Sequence, residues 1–393
     1  MWKAIASNFL TLLILVLVAA AIAVAWGRNQ YVAPGPSATA QCVEIPQGAR
    51  LDEVSKQLES QGVISSPYIL RTGADYSGKA GQLKFGSYLV PPNASMKDVV
   101  DTITAGGPST CGTEVIFRVG VRENSVVLRD MNAETGRYED RIRYNPATEE
   151  PPEAIVQAEA KPGARLRVAV AEGTTSWQVV EGLKQADFLD GPTGPVPPEG
   201  TLAPDTYQVD RGGDRRQLLD RMRVAQDAIL TAAWEARDFN LPYRTPEEVL
   251  TMASIVEKET GVPDERRTVA AVFVNRLREG MRLQTDPTVI YGVTGGKAVL
   301  DRGLRRSELN RKTPYNTYQI EGLPPGPIAN PGKAAIAAAL DPDDSPYLYF
   351  VADGSGGHAF ARTLEEHEAN VARWREIERQ RGQPTNTPVQ TAE

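Results

Sequence analysis

The chain has 393 residues, enough for two or three domains at roughly 100–200 residues each. With 41% hydrophobic and 24% charged residues it has the make-up of a globular protein with a sizeable core. A formal net charge of −7 argues against nucleic acid as the main partner, and two cysteines with two histidines leave no CxxC, HExxH or His-rich set for a metal.

The first element is an uncharged run from Ala4 to Gly27. It meets the ~20 apolar residues that a membrane-spanning helix needs. Lys3 before it and Arg28 after it give a weak inside-positive bias. A cleaved signal peptide is the competing reading, because Ala21-Ile22-Ala23 and Ala23-Val24-Ala25 resemble cleavage sites. Either way the rest of the chain is exported. Cys42 and Cys111 then have two open fates, a disulfide closing the base of the first folded region or two buried thiols.

Residues 29–41 are rich in Pro, Gly, Ala and Ser and read as a linker. A strand–turn–helix unit then recurs: VEIPQGARLDEVSKQL from Val43, YLVPPNASMKDVVDTI from Tyr88 and VAVAEGTTSWQVVEGL from Val168. Each copy opens on alternating apolar residues and turns at Gly48, Asn93 or Gly173, residue types that accept positive φ. Each continues with an apolar i, i+4 pair: Val54 and Leu58, Val99 and Ile103, Val179 and Leu183. The first two copies predict a compact βα–βα module, and the third opens another domain. Between them, 115–119 and 125–129 predict short strands, and the Pro/Glu/Ala-rich 145–164 predicts an exposed loop.

Thr245-Pro246-Glu247-Glu248 predicts a helix start with a capping box, the helix running through VLTMASIVEKET. A second helix is expected from about Pro263 to Gly280, with Val269, Val272, Phe273 and Leu277 on one side. The stretch 281–292 is expected to be non-helical. Residues 345–361 predict a hairpin turning at DGSGG, and 364–379 a last amphipathic helix.

Candidate chemistry gathers in 245–370. Glu257 and Glu259 fall on opposite shoulders of the helix's apolar face, where partial desolvation raises a carboxyl's pKa and suits it to general-acid work. Lys258 is expected to face solvent. Spacing does not choose between the two acids, and either reads more readily as a solvated helix-end Glu paired with Arg266 or Arg267 than as a catalytic group. Gln284, Thr285, Asp286 and Tyr291 crowd one short stretch; Asn316 and Tyr318 sit among aromatics before a proline-rich turn. Aromatics beside amides suit sugar recognition and suit a packed loop equally well. Asp205 and Tyr207 read more readily as turn and core residues than as substrate contacts. His358, after the hairpin turn, is either a site residue or an exposed turn residue. No GxSxG elbow accompanies the two histidines, so a Ser–His–Asp triad is disfavoured.

ASIVEKET (253–260), VFVNRLREGMRLQTDPTVIYG (272–292), TPYNTY (313–318), GLPPGPIANPG (322–332) and PYLYFVADGSGGHAF (346–360) together resemble the endolytic murein transglycosylases of the YceG-like (MltG) family. The resemblance is dense over 245–370 and looser over 43–106 and 166–210. It implies an α+β protein with an N-terminal transmembrane helix, a small LysM-like βα module and a mixed α/β YceG-like catalytic domain. The implied boundaries are an anchor at 1–28, a linker at 29–41, the module at 42–111, a connecting segment at 112–165, the catalytic domain at 166–379 and a disordered tail at 380–393. The family motif places the catalytic acid/base at the second glutamate of EKE, which is Glu259, and makes Glu257 supporting. The implied reaction cleaves the MurNAc–GlcNAc bond of nascent glycan strands with 1,6-anhydroMurNAc formation, ending strand elongation, with no metal or organic cofactor. The implied setting is a single-pass inner-membrane protein with a periplasmic catalytic domain, working beside penicillin-binding proteins or other peptidoglycan synthases. Two competing readings use the same residues. A hydrolytic muramidase needs a second carboxylate, Asp286 or Glu257, and a non-catalytic peptidoglycan-binding scaffold needs none. Two departures from the family pattern stand out: Ala203 replaces a common aromatic in EGTLAPDTY (199–207), and 107–165 is longer than usual.

Overall fold

A computed structural model describes residues 2–107, 109–132, 135–160, 164–237 and 240–382. The tail expected to be disordered lies outside them from residue 383 onward. The chain divides into two units: Met1–Val115 with Val127–Arg143 and Pro151–Arg165, and Ile116–Val126 with Tyr144–Glu150 and Leu166–Glu393.

The first unit opens with α1 (Trp2–Val32). Its stretch Phe9–Val32 is long and apolar enough to cross a membrane, and the side chains of 9–26 stand exposed. The helix runs past residue 28, where the anchor was expected to end. Its last turn packs on the module: a Cβ on Gly73 would come within 2.4 Å of the Tyr31 ring. The expected linker is also partly tied down, since Gly35 donates to the Asn93 carbonyl and Asn93 donates to that of Ser37. Then follow β1 (Gln41–Ile45), α2 (Leu51–Ser60), α3 (Pro67–Tyr76), β2 (Gly86–Val90) and α4 (Met96–Ala105). Strands β1 and β2 pair antiparallel, Val43 opposite Tyr88. The repeat is therefore real, with α3 inserted between its first two copies. Gly48 and Asn93 have φ of 77° and 55°. Val54, Leu58, Val99 and Ile103 all lie in the core of the module. Ser95 caps α4 through the Asp98 amide, with Asp98 answering in a capping box.

Cys42 and Cys111 are joined in a disulfide within this unit, across a sequence separation of 69 residues. Closing so long a loop restricts the unfolded chain and stabilises the unit by roughly 4 kcal/mol on the loop-entropy account. The C42S/C111S double variant is expected to unfold at a clearly lower urea concentration, with a slope no smaller than the wild type's, since the freed chain exposes more surface on unfolding. An unchanged midpoint would show that the bridge adds nothing.

Next come β3 (Thr113–Val119), β4 (Ser125–Asn132), β5 (Arg137–Tyr144), α5 (Glu153–Ala160), β6 (Arg165–Val170), α6 (Ser176–Lys184), β7 (Leu189–Asp190), β8 (Thr206–Val209) and β9 (Gly213–Asp214). A five-stranded sheet runs in the order β5-β4-β3-β6-β8, with β6 and β8 antiparallel, and β7 pairs parallel with β9. The loop expected at 145–164 contains α5. Its Ile155 and Ala158, an i, i+3 pair, are buried, and that spacing was hidden by the surrounding prolines and glutamates. The third repeat copy, β6–Gly173–α6, has φ of 76° at Gly173 and a capping box between Thr175 and Gln178.

The second unit continues with α7 (Arg215–Glu235), α8 (Pro246–Glu259), a 3-10 turn (Pro263–Glu265), α9 (Arg266–Arg278), α10 (Asp286–Thr294), α11 (Arg306–Leu309), α12 (Lys333–Leu340), β10 (Tyr349–Ala352), β11 (His358–Ala361) and α13 (Leu364–Gln380). Strands β10 and β11 form the expected hairpin, Phe350 opposite Phe360. Helix α8 is central, packed by α7, α9, α10 and α12. Every residue from Val249 to Val256 is buried, so the helix has no solvent face along that stretch, beyond the one broad apolar face expected. Half of its expected capping box forms. Thr245 accepts from the Glu248 amide, but the Glu248 carboxylate reaches the Arg244 amide, one residue before the cap.

The stretch 281–292, expected to be non-helical, holds α10. Thr285 stands at its N-cap position, Pro287 lies in the first turn and Gly295 ends it in the left-handed region at φ 60°. A Thr-Asp-Pro start is a helix signal as well as a turn signal, and here the helix signal wins.

Candidate active site

Glu259 is the last residue of α8, and the chain turns extended at Thr260. A cleft of about 310 Å³ opens at its carboxyl. Gln284, Asp286, Tyr318, Arg276, Phe350 and His358 are among its walls. Four of the predicted site residues thus meet here: Glu259, Gln284, Asp286 and Tyr318. A fifth, Thr285, donates its hydroxyl hydrogen to Glu259 Oε1 in a short bond. This is why the N-cap residue of α10 makes no side-chain cap bond, its hydroxyl being committed to the acid.

Burial pushes the Glu259 carboxyl up from its ordinary 4.5 to about 7. The bond from Thr285 opposes the rise, the nearby Asp286 adds to it, and His358 and Arg276 oppose it. The carbonyl end of the helix dipole at α8's last turn also disfavours negative charge there. The result is an acid that holds a proton near neutral pH. Asp286 is likewise raised by burial, partly offset by a 2.7 Å hydrogen bond from the Tyr318 hydroxyl.

The cleft's backbone is fixed from behind. Gln284 has φ of 50°, a left-handed conformation that costs a non-glycine residue on the order of 1 kcal/mol or more. Its amide donates to the Thr317 carbonyl, and the Thr285 amide to the Thr317 hydroxyl. Arg276, almost fully buried, donates to the carbonyls of Leu348 and Leu283 at 2.7 Å each and lies over the Tyr349 ring. Opposite, His358 Nδ1 is 2.7 Å from Glu265 Oε2, and its amide donates to Glu265 Oε1 at 2.9 Å. The Phe350 ring meets the imidazole at a near right angle.

The other predicted residues face elsewhere. Glu257 accepts from the Gly332 amide, so it holds the end of the proline-rich segment 322–332. Asn316 is fully buried and donates to the carbonyls of Glu308, Leu309 and Arg311, a loop-organising role. Tyr291 donates to Glu199 and packs on Tyr315. Asp205 is exposed and accepts from the Thr206 amide, while Tyr207 is buried with its hydroxyl on the Ala203 carbonyl. Lys258, expected to face solvent, instead reaches the Gly173 carbonyl, and burial lowers its pKa. Among the described residues no group of three or more His, Cys, Asp or Glu could hold a metal ion.

Sequence reasoning passed over Arg276, Glu265 and Phe350. Arg276 carried a readable signal. It continues the Val269, Phe273 stripe at i, i+4, i+7, and a charged residue on a buried stripe needs partners. Glu265 carried none, because its partner lies 93 residues away.

A prediction follows from the Thr285 bond. T285V keeps the shape but removes the donor that opposes the rise in Glu259's pKa, so proton loss from Glu259 moves to higher pH. The alkaline limb of the pH–rate profile is expected to shift upward, with the acid limb in place. An unmoved alkaline limb would separate Thr285 from the acid's titration.

A mixed α+β scaffold presenting one proton-holding carboxyl in a cleft of aromatic and polar groups defines a candidate general acid–base enzyme. The chain belongs to the YceG-like family, whose profile matches residues 43–373. It is 29% identical over 338 residues to an endolytic murein transglycosylase of Bacillus subtilis (strain 168), across 84% of each chain. It is 31% identical over 335 residues to an endolytic murein transglycosylase of Streptococcus pneumoniae (strain D39), covering 84% of this chain and 57% of that relative. A solved yceG-like protein from Listeria monocytogenes is 27% identical, covering 85% of this chain and 99% of the other, with a TM-score of 0.45.

Proposed function

We propose that the chain is an endolytic peptidoglycan lytic transglycosylase with Glu259 as its acid/base. The carrying observation is Glu259 itself, a buried carboxyl held protonated near neutral pH at the mouth of a cleft, in a chain whose relatives carry that activity by name. Glu259 donates its proton to the oxygen leaving C1 of MurNAc. The MurNAc C6 hydroxyl attacks C1 and closes the 1,6-anhydro ring, giving its proton to a base, a role the Glu259 carboxylate left by the first transfer can fill. A single carboxyl can serve both steps, so the second carboxylate of a hydrolytic pair is not required.

The setting proposed is a bacterial inner membrane, with α1 as a single-pass anchor and the catalytic domain (166–379) outside, joined by the segment 112–165. The exposed apolar stretch of α1 supports the anchor, and the Cys42–Cys111 disulfide supports an oxidising compartment. Residues 42–111 are proposed as a LysM-like glycan-binding module. Its β1–β2 pair with α2, α3 and α4 packed around it supports that reading. Peptidoglycan synthases are the proposed partners, since cutting nascent strands ends their elongation.

One observation favours a hydrolytic muramidase as the second reading: Asp286 shares the cleft and could activate water. The test is the mass of the new ends. The full chain in detergent is incubated with uncrosslinked glycan strands and the fragments are weighed. Ends one water lighter than reducing ends are the expected result. Ordinary reducing ends would replace this reading with hydrolysis, and intact strands would leave a binding scaffold.

A further inference from the structure

We propose that His358, oriented by Glu265, is a second catalytic residue, the base that takes the proton from the attacking C6 hydroxyl. This rests on the transglycosylase reading above and gives the second proton its own acceptor.

The geometry carries the assignment. His358 lines the same cleft as Glu259. Its Nδ1 lies 2.7 Å from Glu265 Oε2. With Glu265 ionised, Nδ1 carries the hydrogen, and whenever the ring is neutral its lone pair lies on Nε2. Nε2 has no hydrogen bond among the described residues. The imidazole is 14% exposed, open enough to meet a ligand and shielded enough to hold one orientation. A carboxylate, an oriented imidazole and a substrate hydroxyl repeat the logic of a base-activated nucleophile.

The hairpin is built around the pair. Glu265 takes both the ring and the amide of His358. A Cβ on Gly357 would crowd the Glu265 carboxylate, so a side chain there would push that carboxylate away from His358. Phe350 meets the ring edge-to-face, with centroids 5.2 Å apart, and sets its plane. The other charged or titratable groups of the cleft come from separate elements: Glu259 on α8, Arg276 on α9, Asp286 on α10, Tyr318 in the loop after α11, and His367 on α13.

The division of labour has a chemical reason. Glu259 must begin protonated in order to donate, and a protonated carboxyl cannot at that moment accept the C6 proton. With a separate base the two transfers overlap. His358 Nε2 removes the hydroxyl proton as O6 bonds to C1. The bond from C1 to the leaving oxygen breaks, and that oxygen takes the Glu259 proton. The enzyme is left with imidazolium and carboxylate. Passing the proton from His358 to Glu259, directly or through water, restores the start, so no co-reactant is consumed.

The test uses full chain in detergent with uncrosslinked glycan strands, reading anhydro ends across a pH series. H358N keeps a donor for Glu265 but no basic nitrogen. Its kcat is expected to fall about a hundredfold or more with KM little changed, and the acid limb of the profile to vanish. E265Q, a milder variant, is expected to move that limb to lower pH. Added imidazole is expected to restore part of the activity of H358A, which a purely structural histidine would not allow. An H358N enzyme within threefold of wild type with both limbs intact overturns the proposal. So does an E265Q limb that stays in place while imidazole restores nothing, which would leave the pair as a hairpin clasp. Failure of the underlying reading looks different, because the wild type itself would then give ordinary reducing ends or none.

Discussion

E259Q is expected to lose activity about a thousandfold or more on uncrosslinked glycan strands, while remaining folded and still binding the strands. General acid–base groups contribute about 10²–10⁴ in rate, and this one is proposed to protonate a poor leaving oxygen, so the upper part of that range applies. The amide is close to isosteric. Its oxygen can still accept from Thr285, and the walls of the cleft are untouched. What disappears is the proton that burial keeps on the carboxyl near neutral pH. The measurement is the initial rate of anhydro-end release, read beside a thermal melt and a pull-down on the same strands. An E259Q enzyme with more than a tenth of wild-type activity would remove Glu259 from the chemistry. E257Q is the matched control. Glu257 faces the Gly332 amide, so its loss should act on stability more than on rate.

Local rules carried much of this fold. The three strand–turn–helix copies were legible because positive φ at Gly48, Asn93 and Gly173, together with an apolar i, i+4 pair, is a backbone requirement written in residue type. The hairpin and the last helix were legible for the same reason. What failed was local ambiguity settled by distant partners. Asp286-Pro287 serves a turn or a helix start equally well, and packing of α10 on α8 decided for the helix. Lys258 looks solvated in a helical projection, yet Gly173, 85 residues away, supplies its acceptor. Asn316 beside tyrosines suggests a sugar contact, but the carbonyls of Glu308 and Leu309 at the end of α11 and of Arg311 after it use up its amide. The site divides in the same way. Spacing narrowed the acid to Glu257 or Glu259 and stopped there. The family resemblance named Glu259, and the fold adds the separation of roles, with Gly332 receiving one carboxylate and Thr285 meeting the other. The Glu265–His358 pair needed the hairpin to close before it existed.

The second large expected effect is on stability, and it runs opposite to the first. E259Q should be more stable than wild type at pH 8 and nearly equal to it at pH 4. The sign comes from linkage. Glu259 titrates near its ordinary 4.5 in the unfolded chain and at about 7 in the folded protein. Between these values the folded state binds the extra proton, so raising the pH favours unfolding. Below about 4.5 both states are protonated and the site costs nothing. Stability is then lost steadily as pH rises to about 7, after which the loss is complete. A rise from 4.5 to about 7 is worth roughly 3 kcal/mol. Glutamine never ionises, so it escapes the whole of that loss. The expected record is two curves of unfolding free energy against pH that start together in acid and separate through pH 5–7, with the variant above. Parallel curves would mean that Glu259 titrates alike in both states, and the desolvated acid on which the proposed chemistry depends would not exist. Diverging curves would show that the wild type gives up stability at the pH where it works, and that burial of one carboxyl is the physical origin of both the loss and the reactivity.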